Sequence, residues 1–501
     1  MSSMPHRSPN MTAALQIANA GTAEVPSASR RPSPAQWRLG IGIALFAALA
    51  AALFAIDGLT APARHALLIF AAAVLAWALT RLPETGVALG AGIALAATGA
   101  IDSDALFAGL GDDIVWLLIG AFLIATVVRH SGLAERCILR ALAGGASSPQ
   151  RLFHRLTWLI AATAFVIPST SGRAALLLPV FMSLAGAIRE PQVVRALALL
   201  FPSVILLSAC ASLLGAGAHL VAVDFIDDLG FGRMDYLDWL LLGTPFALLT
   251  SVIATELILR LFLDAPTRRA PIALPQTPRG PMSPVQRRVL GLVFAIVALW
   301  ATTALHGIDP ALIAIAGGLA LASRAIGGIA LKDAIKSVEW NLVLFLAVTL
   351  VLGEALISTG AAAWIARETV ARLPAALLAH PQWVVIAAAL VSMLSHLFIT
   401  SRSARAAVLI PVFALPLALS PAHAVALVMV AVVGSGFCQT LRISAKPVAL
   451  YHSLDGVQTY RDADLLRLSL WLMPPFAIAL IVFALWLWPL IDPVLGFARA
   501  G

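Results

Sequence analysis

From about residue 39 to its C-terminal end the chain is a succession of apolar stretches, rich in Ala and Leu and each about 20 residues long. A helix of that length crosses roughly 30 Å, the thickness of the hydrocarbon core of a bilayer. In lipid the backbone polar groups must be satisfied within the segment or by closing a barrel. No ten-residue alternation appears, so the spans read as helices. With 501 residues, 60% of them hydrophobic and only 12% charged, the chain cannot hide its apolar surface in one water-soluble core. The fold class expected is an all-α membrane protein with a multi-pass topology in the inner (plasma) membrane.

The net charge of +8 does not point to nucleic acid, because the basic residues sit in short segments between spans and form no contiguous patch. They read as topology signals. The loop with Asp102, Asp104, Asp112 and Asp113 is acidic and the segment with Arg129, Arg136, Arg140, Arg151 and Arg155 is basic, which places the latter, and the N-terminus, in the cytoplasm. Cys137, Cys210 and Cys438 have no metal or disulfide spacing and read as packing residues. No His-Glu-x-x-His pair or Gly-x-Ser-x-Gly elbow argues for a membrane enzyme, and no cofactor or metal centre is expected.

Charge and apolar runs divide the chain into a disordered cytoplasmic tail (1–38), a first transmembrane half (39–263), a Pro- and Arg-rich cytoplasmic linker (264–288) and a second half (289–501). Within the first half, residues 156–188 form two short apolar segments broken at Pro168 to Gly172, with basic residues at both outer ends. A segment whose ends share one side enters the membrane and turns back, which is a re-entrant hairpin. The next span is interrupted at Leu214 to His219, where Gly215 and Gly217 suggest an unwound helix. The second half repeats the plan, with a broken pair near 382–419 and a span with a polar interruption at about 421–449.

The repeat is visible in the residues themselves. The stretch from Ser169 to Phe181 matches the stretch from Ser401 to Phe413 at nine of thirteen positions, including Ser-x-Ser-x-Arg-Ala-Ala and Pro-Val-Phe, with an offset of 401 − 169 = 232. An odd number of crossings between the copies makes this an inverted repeat, whose broken elements meet near the midplane.

These tips and broken helices resemble those of the divalent anion/sodium symporters, carriers of dicarboxylates, citrate or sulfate, over nearly everything from residue 39 onward. The family tips read Ser-Asn-Thr followed by Ala-Thr-Ala-Ala and Leu-Pro; the matching tips here are Ser169-Thr170-Ser171 and Ser401-Arg402-Ser403. Gly215 to His219 is similar to the first broken-helix stretch, and Phe437 to Lys446 to the second. The resemblance implies about 11 transmembrane helices plus two re-entrant hairpins, a homodimer with an elevator motion, two bound sodium ions, and tip side chains that touch the substrate.

At the ion sites the chain departs from the family. Thr170 and Arg402 stand where the tips carry asparagine, His219 and Lys446 where the broken helices do, and Arg173 and Arg405 two positions beyond the tips. A guanidinium or ammonium has no lone pair for sodium. A unit charge about 4 Å from a bound cation costs roughly 4 kcal/mol at an effective dielectric of about 20, enough to erase a millimolar site. The same groups suit an anion, because Ser hydroxyls, helix N-termini and Arg forks all donate. The function expected is secondary transport of a small anion (a di- or tricarboxylate, or sulfate-like), sodium-independent and driven by protons or exchange. Ser169, Thr170, Ser171, Arg173, Ser401, Arg402, Ser403 and Arg405 are expected to bind the substrate, and Gly215, Gly217, His219, Arg442 and Lys446 to form the broken-helix and coupling elements. The alternatives are a sodium-coupled symporter retaining one ion at Ser169 and Ser171, and a non-transporting anion sensor. For single residues the bland readings are pairing of Arg173 and Arg405 with Glu354 or Glu256, a simply hydrogen-bonded His219, and a topological role for Arg442 and Lys446.

Overall fold

The computed structural model describes residues 34–495 apart from residues 57, 144–147, 189, 229, 231, 233, 273, 275–279, 373, 375–379, 418–420, 453 and 455. Among the described residues every regular element is a helix, apart from a single isolated bridge between Leu454 and Val457. Among the described residues nine helices are long and apolar enough to cross a membrane, and Glu84–Ala97, Pro310–Leu321, Gln382–Leu397 and Val425–Gly434 are shorter apolar helices. Most of the tail lies outside the described residues. Its last five residues, 34–38, belong to the first helix, Pro34–Phe54, because Pro suits a first turn and the apolar run follows without a break. The linker likewise holds a short helix, Ala265–Arg269, and gives its last five residues to Pro284–Ala301.

Helix starts carry the caps that the sequence provides. Asp112 Oδ1 accepts from Ile114 N at 2.8 Å, and Asp235 and Ser283 each form a capping box with Asp238 and Gln286. The ends at Asp113, Asp228, Tyr236 and Pro310 surround an acidic cavity of about 400 Å³, whereas Arg129 and Arg260 lie at the opposite ends of Asp113–His130 and Tyr236–Phe262, and Arg287 and Arg288 in the first turns of Pro284–Ala301. Burial separates rim from centre: 6% of the most apolar window of the first helix is buried, against 94% of that in Pro191–Ala211. The latter is a helix surrounded by protein.

The repeat expected from the residues reappears as a repeat of elements. The first hairpin consists of Pro149–Ala162, a 3₁₀ turn at Thr163–Phe165 and the helix Thr170–Ala187. The second consists of Pro381–Leu394, a 3₁₀ turn at Ser395–Leu397 and Arg402–Leu417. Each start is displaced by 232 residues (381 − 149, 395 − 163 and 402 − 170). The first broken helix runs Pro191–Leu207, unwinds through 3₁₀ turns at Ser208–Ala211 and Leu213–Gly215, and resumes as Gly217–Asp228. The second runs Pro421–Gly434, breaks, and resumes through Arg442–Ser444 into Lys446–His452.

Unwinding a helix inside a bundle frees carbonyls that must find donors. The helix Tyr236–Phe262 supplies two of them: Trp239 Nε1 donates to Cys210 O at 3.0 Å and Thr244 Oγ1 to Ala211 O at 2.9 Å. Tyr451 OH, beyond the second break, donates to Ala174 O at 3.1 Å and ties the second half to the first hairpin.

Candidate functional site

Both tips open onto one cavity of about 690 Å³, lined by Pro168, Ser169, Thr170 and Ser171 from the first and Thr400, Ser401, Arg402 and Ser403 from the second. Ala216, Gly217, Ser444 and Lys446 of the broken helices complete the wall, and Glu84, Glu339 and Asn341 add polar groups from two further helix starts. At each tip a serine caps the outgoing helix: Ser169 Oγ accepts from Gly172 N at 3.1 Å and Ser401 Oγ from Ala404 N at 3.2 Å. Two helix N-termini, with first-turn N–H groups that have no intrahelical partner, therefore converge on the same space.

Arg402 occupies the seam between the two halves. One nitrogen, Nη2, donates to His219 Nε2 at 3.0 Å, while Nε and Nη1 are buried without a hydrogen-bond partner. Close approach of backbone makes room for it. A Cβ on Gly436 would lie 2.8 Å from Arg402 Nη2, and one on Gly217 would lie 3.5 Å from Ser403 Oγ, so glycine in both broken helices lets the second tip seat against them. His219 is fully buried, stacks on Trp239 with centroids 4.7 Å apart, and has Nδ1 3.0 Å from Ser212 O. A carbonyl only accepts, so Nδ1 carries the proton and Nε2 is left with the lone pair that receives Arg402. The imidazole in this network is neutral.

Arg173 and Arg405 behave differently. Both are completely buried and neither lines the cavity. Arg173 donates from Nε to Thr163 Oγ1 (2.9 Å), from Nη1 to Ile205 O (2.9 Å), and from Nη2 to Ile160 O (2.8 Å) and Ser208 Oγ (2.7 Å). Arg405 donates to Ser435 O from Nε (3.1 Å) and Nη2 (2.9 Å), to Ile399 O (2.7 Å) and Thr400 O (3.1 Å) from Nη1, and to Cys438 Sγ (2.7 Å). Each guanidinium thus clamps its own hairpin to its own broken helix, and the expectation that these two touch substrate does not fit the geometry. Nor are they paired with carboxylates: Glu256 is held by His154 at 2.9 Å and Arg260 at 3.3 Å. Gly215 and Arg442 lie in the two breaks but not on the cavity wall, whereas Gly217 and Lys446 are on it. Four contributors escaped the sequence reading: Trp239, which backs His219, and Glu84, Glu339 and Asn341 at the wall. None lies in the repeated motif, and only their positions at or near helix starts distinguish them.

The clamps also decide how the site fits sodium. Ile205 O beside the first break and Ser435 O in the second accept from guanidinium nitrogens, and a fixed cation so close to each break opposes a second one, so the residues present do not fit the ion sites that the resemblance implies.

The family model of the sodium:sulfate symporter transmembrane region matches residues 35–492. The chain belongs to that family. It is therefore a multi-pass membrane transporter. Among relatives, it is 27% identical over 411 residues to a protein of Cupriavidus necator named only as a membrane protein, covering 76% of this chain and 79% of the relative. It is 26% identical over 314 residues to an uncharacterized transporter of Mycobacterium tuberculosis, covering 60% of this chain and 70% of the relative. The crystal structure of the YdaH transporter of Alcanivorax borkumensis, described as having an unusual topology, superposes with a TM-score of 0.50 over 93% of this chain and 99% of that one, at 16% identity. That likeness extends to the fold alone.

Proposed function

We propose that this transporter moves a small dianion, a dicarboxylate or a sulfate-like oxyanion, bound between the two tips with Arg402 as its anchor. The observation that carries the reading is the pair of buried, unpartnered nitrogens on Arg402 at the wall of a cavity where two helix N-termini meet. A guanidinium at membrane depth costs roughly 2.5–3.5 kcal/mol on insertion scales, and donors left unused there are favoured only if a ligand takes them. Ser169, Ser171, Ser401 and Ser403 supply hydroxyls around the same space, and Lys446 a second cation.

Sodium independence follows from the clamps, because Arg173 and Arg405 hold by fixed charge the junctions that bound ions hold elsewhere in the family. Uptake of labelled succinate or sulfate into proteoliposomes is expected to be equal in sodium and potassium buffers and to respond to a proton gradient. A strict requirement for an inward sodium gradient would overturn this.

His219 supports proton coupling. Protonation at Nε2 would put two cationic donors face to face, break the contact with Arg402 and release the guanidinium toward the cavity. Of the groups packed around the ring, Arg402 is charged, while Trp239 and the Ser212 carbonyl are neutral. His219→Gln keeps a side-chain acceptor for Arg402 but cannot take a proton. Its uptake is expected to lose the stimulation by an inward proton gradient that is expected of the parent; an undiminished stimulation would remove His219 from the coupling step. The re-entrant entry of the hairpins, the homodimer and the elevator motion belong to the same proposal.

A further inference from the structure

A second cavity, of about 840 Å³, lies on the arginine-bearing face and shares no residue with the cavity at the tips. It forms between the outer side of Pro149–Ala162 and the chain around the short helix Ala265–Arg269. Pro149–Ala162 is amphipathic in a particular way. Leu152, Phe153, Leu156 and Ile160 are fully buried, and the opposite side presents Arg151, Arg155 and Trp158 at i, i+4 and i+7. The helix leads from its Arg151 end toward the tip at Ser169, so the two guanidiniums stand at its outer end and the indole about one turn deeper. Trp158 is 52% exposed. Arg269 closes the cavity from the other side, and Ser148 and Gln150 add neutral donors. The neighbouring carboxylate, Glu256, is engaged by His154 at 2.9 Å and Arg260 at 3.3 Å.

We infer that this cavity holds the phosphate headgroup of an anionic phospholipid from the leaflet on the arginine-rich face. A soluble anion would be served by the guanidiniums alone. The indole one turn deeper, outward-facing and beside the basic cluster, fits the glycerol and first acyl carbons of a lipid whose phosphate the arginines hold. Bound there, the lipid bridges the outer arm of the first hairpin to the linker between the halves.

The test uses the purified full-length protein in detergent, melted with added phosphatidylglycerol, phosphatidylcholine or inorganic phosphate. Phosphatidylglycerol is expected to raise the Tm, and phosphatidylcholine and inorganic phosphate to leave it within error. Each of Arg151→Gln, Arg155→Gln and Arg269→Gln should weaken the phosphatidylglycerol response roughly fivefold in lipid concentration at low salt, and Trp158→Ala should weaken it without changing its salt dependence. Equal shifts with both lipids, or a phosphatidylglycerol shift that survives the triple glutamine variant, would overturn the inference. A matching shift with inorganic phosphate would overturn it in favour of a soluble-anion site. Should the triple variant fail to fold, Arg269→Gln alone carries the test, since Arg269 is exposed on the linker helix.

Discussion

Arg402→Gln is expected to lower anion uptake by on the order of 100-fold while leaving the protein at least as stable as its parent in the absence of substrate. The two halves of that result have one cause. Removing a guanidinium that pairs with a bound anion in a desolvated site costs roughly 2–5 kcal/mol of binding. In the empty protein, however, the same guanidinium has Nε and Nη1 buried without partners and only His219 as an acceptor, so replacing it relieves a desolvated charge. Activity lost with stability kept or gained is the mark of a binding residue rather than a packing one. Uptake in proteoliposomes measures the first half, and thermal unfolding with and without succinate or sulfate the second, with the substrate-induced rise in Tm disappearing in the variant. Arg402→Lys should fall between, keeping the charge but losing the planar fork. Uptake within threefold of the parent for Arg402→Gln would end the anchor assignment.

The duplicated plan was readable from the residues because the motif around Ser169 and Ser401 survives in both copies, and the hairpins begin, turn and resume at the same offset of 232. The unwound region near Gly215 and Gly217 was readable for a similar reason, since glycine inside an apolar run weakens a helix wherever it falls. The number of spans was harder. Glu84–Ala97 and Pro310–Leu321 have 14 and 12 residues, short for a full crossing, so length alone leaves them outside the nine long helices. The division of labour among the arginines was not readable at all. Arg402 and Arg405 are three residues apart on one helix, both cationic and both in the motif, yet one lines the cavity and the other is consumed by carbonyls. Those carbonyls become acceptors only after the broken helix unwinds against the hairpin, a tertiary event that no local pattern records. The contact between Arg402 and His219 spans 183 residues and joins opposite halves, so neither motif points to the other.

Loss of a clamp should be felt in folding before it is felt in transport. In Arg405→Met the apolar volume is largely retained, but Ser435 O, Ile399 O and Thr400 O lose the donors that now satisfy them at 2.7–3.1 Å. An unpaired buried carbonyl costs about 1–3 kcal/mol, so the variant is expected to lose roughly 3–5 kcal/mol, a large part of a typical stability of about 5–15 kcal/mol. Size-exclusion profiles and melting curves of the purified variant measure this, and Arg173→Met should behave alike through Ile160 O and Ile205 O. A smaller replacement asks a sharper question. Arg405→Ser leaves the three carbonyls around an emptied space, an arrangement of oxygen dipoles that accepts a monovalent cation. If the guanidinium stands in for an ion, the serine variant should melt higher in sodium chloride than in potassium chloride at equal ionic strength, while the parent is indifferent to the exchange. A parent protein stabilised by sodium would mean that the clamps leave a cation site intact. A serine variant indifferent to both salts would mean that Arg405 fastens the hairpin without replacing anything.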